Sequence, residues 1–471
     1  MAQHSELGVP LGDLCISAIG QADDTVLVSN SIYGLQYLLH LTSVFCKRNL
    51  VELCADKTKL QAFSKSCHKN SSNVYHLDFN PIKINGKEIP LSPLADHVGV
   101  LRSVHGNQPT LLARFAAHRA ALASVLHTGI ARGHRGNPAS SVKIHELYAL
   151  PVLLSGLTSL VLTNKELGMI ENHYRETLRR LLRLHSKTPR CVIYFLSGSL
   201  PGDAFVHLRQ LSTFGMICRQ PENILHRHAV NLFTARTISP KSWFHQIRNH
   251  CIHYGLPHPI DFLIYPLDKL KFKRLVKKKI IDYWECKLRG EAENLTSLTF
   301  FSPQFMSLTK PHPLFTLAGN SPAKVTMATT QALMLSGRYR FDALARHWSS
   351  QISGFCTLSP KCSNQLEDIV HVLKTCTALS PTRRKLYEFT VSSSNGLPLD
   401  VRQFIQQSYQ TSSGHFVQLL LDCTVIPTVI LFSQQYGIEI LNAILNISRT
   451  WVYVIHRERL KLRGQWRKVK N

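Results

Sequence analysis

Between residues 31 and 47, Ile32, Leu35, Leu38, Leu39, Leu41, Val44 and Phe45 recur at helical spacing and predict one amphipathic helix. Just before it, residues 16–29 are apolar with a single polar interruption, the pattern of a hairpin. Residues 50–54 read as a short strand. Segment 82–89 predicts a second hairpin, because Asn85-Gly86 favours a type I′ turn. A strand-and-turn signal recurs at 97–101. From 109 to 233 the pattern turns helical. Residues 111–127 are rich in Ala and Leu. Thr163 or Asn164 is placed to cap a helix through Glu166, Met169, Ile170, Tyr174 and Leu178 to Leu184. Phe272, Leu275, Val276, Ile280 and Ile281 fit one side of another helix, and the chain from 416 onward is again helical. These patterns predict an α+β chain: antiparallel hairpins with a helix first, mostly helices afterwards.

Charge narrows the class of partner. The 471 residues carry 55 Lys and Arg against 29 Asp and Glu, a formal net charge of +26. Such an excess repels itself unless a polyanion offsets it, and nucleic acid is the commonest one. An anionic membrane is the competing partner. Two apolar runs, 147–162 and 416–432, bear on it. The first is short and holds Pro151 and Gly156; the second holds Asp422 and Pro427. A span needs about 20 apolar residues, so both read as buried helices and no membrane partner is expected. The 12 cysteines are scattered and the first twenty residues lack a secretory pattern, which argues against a disulfide framework. Candidate phosphate contacts are Arg175, Arg179, Arg180 and Arg183, expected on the exposed side of their helix, and Lys277, Lys278 and Lys279 in the basic run. The plainer alternative for each is a solvated helix face.

Two constellations suggest metal. Asp23 and Asp24 stand at the corner of the first hairpin, where adjacent carboxylates suit hard divalent cations such as Mg2+. The same dipeptide is also an ordinary turn signal. Cys356, Cys362, His371 and Cys376 form a Cys-x5-Cys-x8-His-x4-Cys array. Zinc takes four such ligands in a tetrahedron, although the first spacing is longer than the usual two to four residues. Residues 367–374 read as a short helix carrying His371, and Pro360 tightens the preceding loop.

The string Ala22-Asp23-Asp24-Thr25-Val26-Leu27, a helix, Asp56-Lys57-Thr58-Lys59, Phe63 and His97-Val98-Gly99-Val100 resembles the later palm of LINE-type, non-long-terminal-repeat reverse transcriptases. The resemblance implies that Asp23 and Asp24 bind Mg2+, that Lys57 is a catalytic lysine near the pyrophosphate, and that 97–100 is a primer grip. It implies a helical thumb after the palm, with residues 147–156 similar to the segment that follows the thumb. Glu367-Asp368 before His371, and the lead-ins Arg338-Tyr339-Arg340 and His347-Trp348, are similar to the family's Cys-Cys-His-Cys knuckle. Two departures stand out. Gln21 replaces the usual aromatic residue. The family's upstream aspartate has no counterpart among the 22 residues before Asp23, whose acids are Glu6 and Asp13.

The expected organisation is a partial palm at 1–103, a thumb and connection at 104–235, a basic region at 236–335, a zinc-knuckle-like module at 336–385 and a helical, basic-tailed region at 386–471. The expected function is that of a fragment of an RNA-directed DNA polymerase. It would contribute to metal-dependent nucleotidyl transfer in the complete protein and be inactive alone. RNA template, DNA primer or target and element RNA are the implied partners; nucleus and cytoplasm are the implied compartments, and the basic tail is a candidate localisation signal. The alternative is a non-catalytic RNA- or DNA-binding remnant with a zinc module.

Overall fold

The computed structural model describes residues 7–11, 14–21, 24–63, 81–126, 136–235 and 238–464. The fold is a mostly helical α+β architecture with small antiparallel hairpins. Two compact units are separable: one holds 1–120, 151–170 and 203–280, the other 121–150, 171–202 and 281–471.

In the first unit the predicted hairpins form. Strand Ala18–Gln21 pairs with Asp24–Leu27. Strand Lys83–Ile84 pairs with Lys87–Glu88 through Asn85 and Gly86, both at positive φ (50° and 81°), as a type I′ turn requires. Leu94–His97 pairs with Val100–Ser103 around Val98 and Gly99, also at positive φ. The signal at 97–101 therefore marks the second half of a hairpin. Val9–Leu11 with Leu14–Ile16 is a fourth ladder. Each ladder has two strands, and among the described residues they do not join into a larger sheet. Residues 51–54 form no strand; Leu53 instead lies against a small core of Leu39, Ile82, Ile84 and Ile89. Burial there satisfies the apolar pattern without ladder pairing.

Helix Ile32–Arg48 begins at Ser31, whose hydroxyl accepts the Gly34 N–H. Gln36 exchanges two hydrogen bonds with the backbone of Lys83 (3.0 and 3.1 Å), fixing the Asn-Gly hairpin against this helix. Thr163, not Asn164, caps helix Asn164–Leu181. Its hydroxyl accepts the Glu166 N–H while Glu166 accepts the Thr163 N–H, a capping box. That helix stops short of Leu184 because Arg183 adopts φ 58°, and Leu184 N–H closes onto the Arg179 carbonyl.

Within helix Lys269–Glu293, the residues Phe272, Val276, Ile280, Trp284 and Leu288 are buried at four-residue intervals. Lys277, Lys278 and Lys279 are exposed between them.

In the second unit, helix Ile438–Leu462 packs against Pro322–Leu335, Ser380–Ser394, Ser413–Leu421 and Pro427–Tyr436. It is long and apolar enough to cross a membrane by length and composition. Its buried side, however, carries Arg449 and Arg459 as well as Trp451, Val452 and Ile455, the make-up of a core helix tied by polar partners. Both apolar runs flagged in the sequence are broken. The first contains the π-helical turn His145–Ala149 and a 3-10 turn at Leu157–Ser159; the second is split by a 3-10 turn at Cys423–Val425.

Candidate metal centre

Cys356, Cys362, His371 and Cys376 converge. One ligand atom from each lies within 4.8 Å of the others, and all four residues are buried. Sulfur–sulfur separations are 3.4 Å (Cys362–Cys356), 3.9 Å (Cys356–Cys376) and 4.0 Å (Cys362–Cys376). A tetrahedron with metal–sulfur bonds of about 2.3 Å has edges of about 3.8 Å, so the thiols sit at ligand spacing. The four residues define a Cys3His centre that could hold a metal ion such as zinc.

Each ligand is held by local structure. The bridge between Phe355 and Leu366 folds the long first loop back on itself, and Cys356 N–H donates to the Gln365 carbonyl (2.8 Å). A 3-10 turn, Pro360–Cys362, starts on proline and is capped by the Ser359 hydroxyl, which explains how five intervening residues still bring Cys362 next to Cys356. The helical segment expected over 367–374 begins only after Asp368, whose carboxylate accepts the His371 N–H (2.7 Å). It then widens into a π-helical turn, His371–Thr375, closed by Cys376 N–H to the His371 carbonyl (2.7 Å). Such single turns are rare and collect at functional sites.

The donor chemistry fits a cation. His371 Nδ1 is 3.1 Å from the Thr375 hydroxyl, while its Nε2 is buried without a hydrogen-bond partner. One imidazole nitrogen is thereby held and the other is left to ligate. Burial pushes the Cys356 thiol up to about 12 and raises Cys376. Burial also opposes ionisation of Cys362, but hydrogen bonds from Thr377 and the neighbouring thiols outweigh it and lower that group. The backbone N–H groups of Leu358, Thr377 and Ala378 point at the three sulfurs. These donors favour thiolates, and a divalent cation supplies the remaining charge compensation.

Behind the ligands lies a buried network. Glu367, fully buried, accepts from Arg459 Nε (2.9 Å) and Nη2 (3.0 Å), from Arg463 (2.7 Å) and from Asp342 N–H (3.0 Å). Arg463 also pairs with Asp342. Tyr339 meets His456 (2.7 Å), and the Arg340 carbonyl accepts from Arg459 (3.0 Å). Tyr339, the Arg340 carbonyl and Glu367 thus anchor the module to helix Ile438–Leu462. Arg459 lies 92 positions from Glu367, and nothing in its own surroundings signals the pairing. The basic tail changes meaning accordingly: Arg459 and Arg463 are structural cations, while Arg467, Lys468 and Lys470 lie outside the described residues.

The other sequence-predicted residues are not gathered into a closed site. Asp23 lies outside the described residues; Asp24 opens strand Asp24–Leu27 and is exposed. Lys57 is exposed in the turn at 55–57. Of the four arginines, only Arg180 is fully exposed. Arg179 and Arg180 share the Glu176 carboxylate, Arg175 bonds Asn172, and Arg183 donates to the Gly136 carbonyl (2.6 Å). None of the eleven described cysteines is in a disulfide. No family model, curated protein or solved structure matches the chain.

Proposed function

We propose that the chain works as a nucleic-acid-binding part of a LINE-like reverse transcriptase, with a structural zinc module at its Cys3His centre. The observation that carries this reading is the module itself. Four buried ligands at metal spacing enclose the Glu-Asp pair ahead of His371 and are followed by a basic, internally anchored helix. Three cysteines and one histidine are the ligand choice of structural zinc, and a closed four-ligand site leaves no open position for chemistry. The net charge of +26 supplies the affinity for a polyanion.

Nucleotidyl transfer through Asp23 and Asp24 belongs to the same proposal but to the complete polymerase. A pair of adjacent aspartates without a third carboxylate holds a metal pair weakly, and the second metal lacks a bridging ligand. The competing non-catalytic reading draws support from the four separate two-stranded ladders, which do not form a continuous palm-like sheet. Primer extension by the purified chain on an RNA template, with Asp23→Ala as control, tests whether the chain is inactive alone. Background-level extension is expected. Robust extension that depends on Asp23 would overturn the claim that the chain is inactive alone. Binding is tested in parallel: tight, salt-sensitive binding to RNA or DNA and none to anionic vesicles is expected, and the reverse preference would refute the nucleic-acid reading.

A further inference from the structure

A second polar site lies apart from the metal centre. Beyond the left-handed Arg183, the chain reverses through residues 184–189 and begins the eight-residue helix Arg190–Ser197. The reversal leaves a recess of about 510 Å3 lined by Arg175, Arg179, Lys187, Thr188 and Arg190, with Glu176 as its one carboxylate.

Charge in this recess is unbalanced. Glu176 is shared between Arg179 and Arg180, so it neutralises less than one cation of the lining. Arg175 has the Asn172 amide oxygen at 2.6 Å, and its nearest carboxylate, Glu171, is 3.9 Å away. That carboxylate already accepts from the Tyr194 hydroxyl (2.5 Å) and the Gly202 N–H (2.7 Å). The Lys187 ammonium lies over the Trp348 ring, 5.9 Å from its centroid, and among the described residues it meets no carboxylate. Arg190 is oriented by Glu291.

Two further observations point to an anion. Thr188 is only 8% exposed, and its hydroxyl has no hydrogen-bond partner. A buried hydroxyl is seldom left unpaired unless something else completes it. Helix Arg190–Ser197 starts behind Pro189, which contributes no side-chain cap, and its positive end begins at Arg190 in the lining of the recess. The local field agrees: His185 is held below the usual imidazole range by burial and then by Arg338, Arg179 and Lys187.

We propose that this recess binds a phosphate group, with Lys187 and the Thr188 hydroxyl as its principal contacts and Arg175, Arg179 and Arg190 as the surrounding cations. The chemistry is that of a phosphate oxyanion met by a point charge, a hydroxyl donor and guanidinium forks. The site does not depend on the zinc module or on the polymerase reading. The phosphate could be carried by a nucleotide or by a polynucleotide backbone, and the experiment distinguishes them.

Calorimetric titration of the full chain with inorganic phosphate, with a 5′-nucleoside monophosphate and with a ten-nucleotide RNA tests the proposal. Lys187→Gln/Thr188→Val is expected to weaken binding of at least one probe tenfold or more, with an unchanged melting temperature. Lys324→Gln/Lys385→Gln, at exposed positions on other helices, serves as the reference and leaves binding of the small probes unaltered. Sensitivity to the first pair of changes with inorganic phosphate or the mononucleotide identifies a discrete phosphate site. Sensitivity with the RNA alone identifies a backbone contact. Lys187→Gln alone, at an exposed position, repeats the test should the double variant fold poorly. Absence of binding by all three probes, or binding that neither variant weakens, would overturn the proposal.

Discussion

The hairpin at 18–27 and the module at 356–376 both place metal-type ligands where the chain reverses, but they are built differently. At the hairpin, Asp24 opens a four-residue strand in a two-stranded ladder and stands in solvent. In the module, two short turns and an isolated bridge bring four side chains together and bury all of them. Backbone amides point at the sulfurs, one imidazole nitrogen is held by Thr375, and Glu367 ties the assembly to a distant helix. The difference lies in supporting structure more than in ligand type. A carboxylate corner is soluble without its ion. A buried set of three thiols is not at ease without a cation, because desolvation opposes the ionisation that ligation requires.

The largest expected effect follows from that last point. If the centre holds zinc, chelating it, or replacing Cys356 and Cys376 with serine, removes the cation that compensates three sulfurs lying within 4.0 Å of one another. Structural zinc contributes on the order of 10 kcal/mol to small modules. Elemental analysis is expected to give one zinc per chain, and the double variant none, with a lower melting temperature or a separate early transition. A metal-free wild type that melts like the metal-treated protein would erase the contrast between the regions.

Next comes the anchor. Glu367→Ala leaves Arg459, 2% exposed, without its carboxylate. Removing one partner of a buried ion pair costs about 3–5 kcal/mol. Chemical denaturation is expected to show a loss of that size while one zinc remains bound. A loss under about 1 kcal/mol would mean that the module stands without the helix.

How much of this was legible in the sequence follows from the range of the forces involved. The ligand set, the Asn85-Gly86 turn, the hairpin at 18–27 and the helix from Ile32 are local patterns, and the structure forms each of them. Boundaries shifted where a single residue decides. Arg183 ends its helix early by adopting positive φ, and Asp368 starts the His371 turn later than its apolar spacing suggests. Glu367 was recognisable as part of a motif, but its role was not, because that role depends on a cation 92 residues away. The partners of the arginine face were not legible for the same reason. Glu176, Asn172 and the Gly136 carbonyl engage all four guanidinium groups, which periodicity alone does not show.

An unpartnered buried imidazole nitrogen does not by itself mark a ligand. His207 Nε2 has that property, as His371 Nε2 does. Its neighbours differ: the His250 ring stacks on it at 4.1 Å, and Tyr254 meets its Nδ1 at 2.7 Å. Burial drives His207 well below the usual imidazole range and holds His250 at about 4, with His253 nearby adding to both effects. Folded pKa values below the unfolded value of about 6.5 mean that the unfolded chain binds more protons in this window. Stability therefore falls as pH falls from about 6.5 towards 4, by roughly 3 kcal/mol for His250 alone. Denaturation measured across this range, with His250→Gln flattening the slope, checks the sign. A slope unaffected by that change would remove these histidines as its source.

The smallest effect belongs to the hairpin, and it is informative because it is small. Asp24→Ala alters an exposed strand end whose backbone pairing with Gln21 does not require the carboxylate. Substitutions of this kind usually stay within about 0.5 kcal/mol. Melting curves of wild type and variant are expected to overlay, with and without millimolar Mg2+, because weak ion binding to the folded state adds almost no stability. Should Mg2+ raise the melting temperature of the wild type and not of Asp24→Ala, the hairpin would be a closed metal site. The two regions would then differ in ion preference alone, and the inactivity expected of the isolated chain would lose its physical basis.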